Sequence, residues 1–231
     1  MKKAIVLCSG GLDSVVTAYY VKKRLDYEKI VILFFDYGQK SLEDERLCAE
    51  MCARDLNTEF KEIRLPELGN LSASLINKGG EIKKLLVSDL RNTGEESKKW
   101  YVPCRNVVFL VYALALAESE FLKNKKISDI FVGFKNEGNE SYPDTTKKFV
   151  EKINSLGEEV CAGKFEIFAP LIEKDKEDIV LLGKKLGVDF AKTFSCYAGS
   201  ERHCGNCLAC KLRQQGFYWA GVEDPTNYAK G

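Results

Sequence analysis

Histidine is almost absent from this chain, with one residue among 231, and methionine, tryptophan and proline are scarce at two, two and five. A single histidine leaves no obvious Cys–His pair for nucleophilic catalysis. The 35 basic and 34 acidic residues nearly cancel, so the chain lacks the positive charge of a general polyanion binder, and nucleic acid is not an expected partner. Few prolines and a hydrophobic fraction of 45% favour a core buried in one domain, with room for a small appendage.

Long hydrophobic runs are also missing. The longest apolar stretch, residues 107–117, is well short of the roughly 20 residues that a membrane-spanning helix needs. Near the start, two lysines lead into only five apolar residues before Ser9, too few for a signal peptide. We therefore expect no membrane partner and a cytoplasmic location. Repeats and low-complexity tracts are absent as well.

The most informative motif is S-G-G-L-D-S at residues 9–14, between a short β-branched run and a helical pattern. Its glycines let backbone N–H groups approach an anion, and the helix start adds donors and a positive dipole. The motif has neither the lysine of a Walker A loop nor the third glycine of a dinucleotide fingerprint. An ordinary turn capped by Asp13 or Ser14 is the structural alternative.

S-G-G-x-D-S resembles the phosphate loop of the PP-loop ATP pyrophosphatases, which cleave ATP between its α and β phosphates. The resemblance implies that Asp13 helps to hold Mg²⁺, a hard ion that prefers oxygen ligands. It also implies that Asp13 and Ser14 take part in catalysis. The ATP-binding residues implied by this motif are Ser9, Gly10, Gly11, Leu12, Asp13 and Ser14.

Nine cysteines do not indicate a disulfide framework, because the number is odd and the expected compartment is reducing. Four of them form C-x7-C-x2-C-x2-C, which can surround a tetrahedral Zn²⁺ and hold the C-terminal segment in place. An iron–sulfur cluster takes the same ligands and stays open as an alternative. His203 could replace one sulfur, although a surface imidazole beside the site is the simpler interpretation. The predicted metal ligands are Cys196, Cys204, Cys207 and Cys210.

Apolar runs and helical patterns alternate along the chain. This alternation predicts an α/β fold with a doubly wound parallel sheet that binds ligand at the carboxyl ends of its strands. A polar stretch at about 67–100 is expected to be an excursion with a short helix or a mobile lid. We expect an ATP-binding domain at 1–190 and a zinc-binding C-terminal segment at 191–231. The predicted strands are 4–8, 30–35, 60–65, 130–134 and 166–171, and the predicted helices are 13–24, 42–56, 106–122, 144–156 and 174–186.

Loops at the same sheet edge supply further candidates. Asp36 could receive a ribose hydroxyl or a metal, and Gln39 could contact the base of ATP, although D-Y-G-Q is also a turn signal. Arg105 could pair with a substrate carboxylate or the α-phosphate through its planar fork. Asn106 could contact substrate or cap the following helix, and Cys104 is a weaker candidate nucleophile. Candidates for contacting an aromatic ring of a ligand are Tyr101, Tyr142, Asp144 and Phe194, whose aromatic members could equally pack in the core.

Seven motifs occur in an order that resembles the 7-cyano-7-deazaguanine synthase family. They are S-G-G-L-D-S, D-Y-G-Q, V-P-C-R-N, Y-P-D, A-P-L, the cysteine quartet and D-P-T-N-Y. The resemblance implies that ATP adenylates the carboxylate of 7-carboxy-7-deazaguanine and that ammonia displaces AMP to give an amide. A second activation then dehydrates the amide to the nitrile, on the route to queuosine. It also implies a C–N bond-forming ligase, one structural zinc and a homodimer.

Several positions depart from the family pattern. Thr145 and Thr146 follow Y-P-D where a Cys-Arg pair is expected, and residues 136–141 also differ. Ser41 stands where His is common, and Cys204 comes one residue early. These differences leave open a relative with the same adenylation step and another amine acceptor, including a protein partner. Another PP-loop enzyme, such as a tRNA-modifying one, and a non-enzymatic zinc module are more distant alternatives.

Overall fold

A central parallel sheet organises the computed structural model, which describes residues 3–91, 93–135, 142–199 and 202–229. Within these residues five strands run in the order β3-β2-β1-β4-β5, and every neighbouring pair is parallel. The predicted parallel α/β sheet is confirmed. The strands are β1 (Lys3–Leu7), β2 (Lys29–Asp36), β3 (Glu59–Arg64), β4 (Ser128–Phe131) and β5 (Ile167–Phe168).

Helices connect these strands and cover both faces of the sheet. They are α1 (Leu12–Arg24), α2 (Leu42–Asp55), α3 (Pro66–Asn70), α4 (Gly94–Lys98), α5 (Arg105–Asn124), α6 (Lys147–Val160), α7 (Lys176–Leu186) and α8 (Leu208–Ala220), with 3-10 helices at Val87–Arg91 and Phe190–Lys192.

Successive residues of a strand pack on opposite faces of the sheet, and this divides the core into two layers. Val6 of β1 packs with apolar residues of α1, α2 and α7, whereas its neighbour Ile5 packs with α5 and α6. Side chains of successive strand residues point to opposite faces, so a sheet buried on both sides needs continuous apolar strands. The strand K-I-V-I-L-F-F-D of β2, with six consecutive buried residues, meets that requirement.

Several elements differ from the sequence expectation; β4, for example, is predicted at 130–134 and lies at Ser128–Phe131. The strand predicted at 166–171 is wrong in length, since only Ile167 and Phe168 form it; Pro170 has no N–H with which to extend the ladder. The helix predicted from 144 begins at Lys147, where Thr146 accepts a hydrogen bond from the Phe149 N–H as its N-cap. The sequence analysis assigns no helix after 186, whereas α8 begins directly after Cys207.

The predicted excursion at about 67–100 contains the short helices α3 and α4 and a 3-10 helix. Its apolar residues pack into the layer of α5 and α6, as shown by the buried Trp100 and Leu85. Within the described part of the chain, no helix is both long enough and apolar enough to cross a membrane.

Candidate active site and metal cluster

A cavity of about 500 Å³ lies at the carboxyl ends of β1, β2 and β4. This is the position that the topology of a doubly wound sheet predicts for a ligand. Gly133, just after β4, lets the sheet edge approach α1 closely, because a Cβ there would lie 2.9 Å from the Ser14 nitrogen. Predicted site residues that line this cavity are Ser9, Gly11, Leu12, Asp13, Ser14, Arg105, Asn106 and Tyr142.

The loop between β1 and α1 is held by its own hydroxyls. Ser14 Oγ donates to the Gly11 carbonyl at 3.0 Å and accepts from the Ser9 N–H at 3.2 Å. Gly10 has φ +74°, and a Cβ there would lie 2.8 Å from the Cβ of Cys48 on α2. Glycine is therefore required both by the backbone conformation and by the packing of α2 beneath the loop.

The capping alternative for this loop is wrong. α1 begins at Leu12 with Gly11 as its N-cap, and no side chain caps it. Neither Asp13 nor Ser14 is in the capping position. The start of α1 thus brings its backbone donors and its positive dipole to the cavity, as an anion-binding loop requires.

Lys176, the first residue of α7, is a cavity residue that the sequence analysis missed. Its Nζ donates to both carboxylate oxygens of Asp13, at 2.7 and 2.8 Å. Gly216 of α8 allows this approach, because a Cβ there would clash with the Lys176 side chain. The signal was available: Lys176 follows β5, and the topological rule places that connection at the same edge of the sheet.

Gln39 braces the loop after β2. Its Nε2 donates to the Phe35 carbonyl at 3.0 Å and to Glu45 Oε2 at 3.1 Å, and its Oε1 accepts from the Tyr37 N–H at 2.9 Å. Gln39 itself is buried and is not among the described cavity residues, whereas Glu45 and Tyr37 are. Its contact with ATP stays a prediction.

Asp36, the last residue of β2, is also held by contacts within the protein. One carboxylate oxygen accepts from the Gly38 N–H at 3.1 Å, and the other lies 4.0 Å from Arg46. Asp36 is not among the described cavity residues either. Its role toward ribose or metal also stays a prediction.

Arg105 enters the cavity from the first position of α5. Its guanidinium carbon lies 5.5 Å from the ring centroid of Tyr37, and Nη1 donates to the Tyr37 hydroxyl at 3.4 Å. Burial raises the pKa of Tyr37 to about 12, although the nearby guanidinium opposes this. The phenol is therefore a neutral partner that holds Arg105 in place without cancelling its charge.

Asn106 and Asp144 are joined by two hydrogen bonds. The Asn106 N–H donates to Asp144 Oδ2 at 3.3 Å, and Asn106 Nδ2 donates to the Asp144 carbonyl at 3.2 Å. The capping alternative for Asn106 is wrong, since the N-cap of α5 is Cys104 and Asn106 lies inside the helix. Burial raises the pKa of Asp144, with Arg105 and the Asn106 N–H opposing that shift. Both polar side chains are thus fixed beside the guanidinium.

The predicted aromatic residues form a wall next to Arg105. Tyr101 and Tyr142 stack with centroids 6.0 Å apart and planes 14° apart. Tyr101 and Asp144 line a small recess of about 20 Å³ that shares Arg105 and Tyr142 with the main cavity. Phe194 also lines the main cavity.

The structure also locates two of the residues that depart from the family pattern. Thr145 lines the main cavity, whereas Thr146 caps α6. The departures at 136–141 lie outside the described residues. Cys104 is exposed and is not among the described residues of either recess.

The four predicted metal ligands come together near the start of α8. Their sulfur atoms all lie within 4.8 Å of one another, and two of them are 4.0 Å apart. Four thiolates at a Zn–S distance of about 2.3 Å place their sulfurs about 3.8 Å apart, so the cluster fits a tetrahedral ion. The cluster consists of Cys196, Cys204, Cys207 and Cys210.

Backbone donors support negative charge in this cluster. The N–H groups of Ala198 and Cys204 both donate to Cys196 Sγ at 3.3 Å, and that of Cys207 donates to Cys204 Sγ at 3.3 Å. The pKa of the Cys204 thiol is lowered, first by the hydrogen bond from the Cys196 thiol and then by the other two thiols. The donor set therefore suits a cation that binds thiolates.

The interpretation of His203 as a surface imidazole is wrong. The ring is buried, with 7% of its surface exposed, and Nε2 accepts a hydrogen bond from the Ser195 N–H at 3.0 Å. Burial, reinforced by the nearby Arg213, lowers its pKa to about 4. His203 is therefore a neutral brace beside the cluster.

Arg213 of α8 ties this C-terminal region to the cavity and was also missed. It is 1% exposed, pairs with Asp224 at 3.2 Å and donates to Thr193 Oγ1 at 2.7 Å. Next to that contact, the Phe194 N–H donates to the Gly10 carbonyl at 3.0 Å. A buried arginine in a chain of ordinary composition has no signature in the sequence.

The sheet and its strand-end loop define an α/β protein of the PP-loop type. Among solved structures, a 4-thiouridine synthetase in complex with RNA and ATP is similar in fold, with a TM-score of 0.50 and 16% identity, over 95% of this chain and 50% of that one. A family model described as "Queuosine biosynthesis protein QueC" matches residues 3–221. The chain belongs to this family, as its motifs predict.

Curated relatives cover almost the whole chain. A 7-cyano-7-deazaguanine synthase of a Nitratiruptor species is 38% identical and covers 98% of each chain. One from Thermoplasma acidophilum is also 38% identical, over 99% of this chain and 93% of its own. The resemblance predicted from the sequence is thus confirmed over the full length.

Proposed function

We propose that this chain converts 7-carboxy-7-deazaguanine, ATP and ammonia to 7-cyano-7-deazaguanine, as a ligase that forms C–N bonds. One observation carries the proposal: a helix-starting phosphate loop and the guanidinium of Arg105 line the same cavity. The names of the relatives support a nitrile product, whose nitrogen carries no further substituent, so a protein amine is not needed.

ATP would lie with its phosphates at residues 9–14. The backbone donors of this loop and the dipole of α1 suit the pyrophosphate that departs. Asp13 offers oxygen ligands to Mg²⁺, which when bound would neutralise charge on the phosphates. Lys176, paired with Asp13, is a second cation within reach of the same charge. Asp36 and Gln39 complete the proposed ATP-binding set.

Arg105 would hold the carboxylate of the substrate. A carboxylate is a poor electrophile until it carries a leaving group, and two parallel N–H donors fix it for attack on the α-phosphate. AMP then leaves when ammonia attacks the acyl carbon, and a second adenylation on the amide oxygen precedes loss of AMP to give the nitrile. Arg105, Asp13 and Ser14 are the proposed catalytic residues.

The deazapurine ring would contact the aromatic and polar groups beside Arg105. Tyr101 and Tyr142 offer ring faces, and the carboxylate of Asp144 can accept hydrogen bonds from ring N–H and amino groups. Asn106 keeps that carboxylate in position through its N–H.

The cysteine cluster would hold one zinc ion as a structural site. Four sulfurs leave no open position, so its role is to fix the segment at 191–231 against the ATP-binding domain at 1–190. A homodimer, which rests on the family resemblance, and a cytoplasmic location complete the proposal.

Mass spectrometry of the products tests this function. The purified protein is incubated with ATP, Mg²⁺, 7-carboxy-7-deazaguanine and ammonium, and we expect the nitrile together with AMP. An amide that accumulates with AMP would limit the proposal to the activation half. Absence of substrate-dependent AMP would overturn it.

A further inference from the structure

Glu45 is a cavity carboxylate that no motif singled out. It lies in the first turn of α2, where its backbone packs directly beneath Gly10 of the phosphate loop. Its Oε2 accepts the hydrogen bond from Gln39 Nε2 at 3.1 Å, and the side chain is partly exposed in the cavity. The carboxylate is therefore held in place by Gln39, in a residue that lines the ligand space.

Charges around Glu45 come from several elements. Arg105 of α5 and the Gln39 amide lower its pKa, whereas Asp44 on its own helix raises it. Burial is the largest influence, and it raises the pKa of Glu45 to about 7. Glu45 in turn affects two titratable neighbours. Burial raises the pKa values of Tyr37 and Cys48, and the charge of Glu45 adds to both shifts. A carboxyl group poised near neutral pH can accept and release protons under working conditions.

Its position suits proton transfer at the reacting centre. The phosphate loop lies on one side of Glu45 and Arg105 on another, and these are the proposed sites of the pyrophosphate and of the substrate carboxylate. The carbon that carries AMP and is attacked by ammonia must lie between those two sites.

Few other bases line the cavity. No histidine occurs among its described residues, and the Asp13 carboxylate is bound on both oxygens by Lys176. Asp175 and Glu177 flank that same lysine at the start of α7. Glu45 is a cavity carboxylate whose pKa the guanidinium of Arg105 lowers.

We propose that Glu45 is the general base for both nitrogen steps of this reaction, an inference that rests on the proposed function. In the first step the ammonia nitrogen bonds to the acyl carbon, Glu45 takes one N–H proton, and the C–O electron pair leaves with AMP. In the second, adenylation of the amide oxygen leaves two N–H bonds on the nitrogen, and Glu45 takes one of these protons to give the neutral O-adenylyl imidate. Glu45, free again, then takes the remaining N–H proton. The electron pair of that N–H bond becomes the third C–N bond as the C–O bond to AMP breaks. Each proton then passes to solvent.

Separate assays of adenylation and amination test this role. Adenylation of a carboxylate releases no proton, so Glu45→Gln should retain ATP–pyrophosphate exchange dependent on 7-carboxy-7-deazaguanine within about threefold of wild type. Nitrile formation should fall by about 10²–10⁴, the usual range for a general base. Glutamine keeps the acceptor for Gln39, so the loop should remain intact. Glu43→Gln, an exposed carboxylate two residues earlier, is the matched control and should leave both rates unchanged.

The pH dependence gives a second readout. Wild-type nitrile formation at constant free ammonia should fall below about pH 7 as Glu45 becomes protonated, and Glu45→Gln should lack that limb. Equal losses of exchange and nitrile formation, or an unchanged nitrile rate, would overturn the assignment and leave Glu45 as a structural brace. Failure of wild type to catalyse the exchange would overturn the proposed function, and this inference with it.

Discussion

The phosphate loop and the cysteine cluster are built in opposite ways, although one segment connects them. The loop lies between β1 and α1 on a buried sheet, and it is held by hydroxyl and backbone hydrogen bonds. The cluster joins three cysteines that precede α8 to Cys210 within it, and its sulfur atoms converge on one point. The core would therefore hold the loop in shape after a site substitution, whereas the cluster needs its metal.

The connecting segment contacts both regions. The Phe194 N–H donates to Gly10, and two residues later the Cys196 carbonyl accepts from Ser41 Oγ at 2.8 Å. Loss of the metal should thus disturb the loop, whereas loss of a loop side chain should not release the metal. Substitutions in the cluster and in the loop can test this one-way dependence.

Cys207→Ser should have the largest effect on stability. Removal of one thiolate weakens metal binding, which in such sites contributes about 10–16 kcal/mol to folding, so we expect a loss of about 3–5 kcal/mol. Metal content by mass spectrometry and thermal unfolding measure it. Cys161→Ser, at a cysteine outside the cluster, serves as the control. Unchanged metal content in Cys207→Ser would contradict the thiolate cage.

Asp13→Ala should separate activity from stability. We expect AMP formation to fall by at least about 10²–10³, the loss typical of a removed transition-state contact. Unfolding should change by about 1–2 kcal/mol, because the side chains of the pair with Lys176 are only 17% and 24% exposed and the variant removes one partner. Asp55→Ala breaks the surface pair with Lys192 and should leave AMP formation intact. Retained turnover in Asp13→Ala would refute the phosphate-loop assignment.

The sequence predicts the loop better than the residues that surround it. A hexapeptide placed on the first strand is sufficient to locate the loop between β1 and α1 at the cavity, because local backbone geometry sets its conformation. The four cysteines are equally local in spacing. Glu45 and Arg213 reach the cavity only through long-range packing, which periodicity does not encode, whereas Lys176 could have been found from its place after β5.

Strand ends and turns account for most of the wrong boundaries. The burial pattern of a parallel sheet predicts the extent of strands that pair with a neighbour on each side, such as β1 and β2. The edge strand β5 has only a single neighbour. Its length depends on where pairing with β4 stops. The burial of His203 could not be predicted, because one imidazole beside ligand cysteines carries no burial signal of its own.

Glu45→Gln should show that the carboxylate of wild-type Glu45, whose backbone packs beneath the phosphate loop, destabilises the folded protein at high pH. The folded protein raises the pKa of this carboxyl from its usual 4.5 to about 7. Its contribution to stability is then fully present below about pH 4.5 and is lost as the pH rises through about 7. The variant should therefore be more stable than wild type at pH 8, by about 1–3 kcal/mol, and the difference should vanish near pH 4.5. Urea unfolding at both pH values measures it, and an equal difference at both would contradict the shift.

Cys104→Gly should have the smallest effect on the free energy of unfolding among these variants. Cys104 has φ +56° immediately before α5, a left-handed conformation that costs a side chain about 1–2 kcal/mol. Glycine relieves that cost but loses more entropy on folding, so we expect a net gain of about 0.5–1 kcal/mol. Cys104→Ala retains the Cβ and should show no gain. If Cys104→Gly also keeps full turnover, this exposed thiol is not a nucleophile.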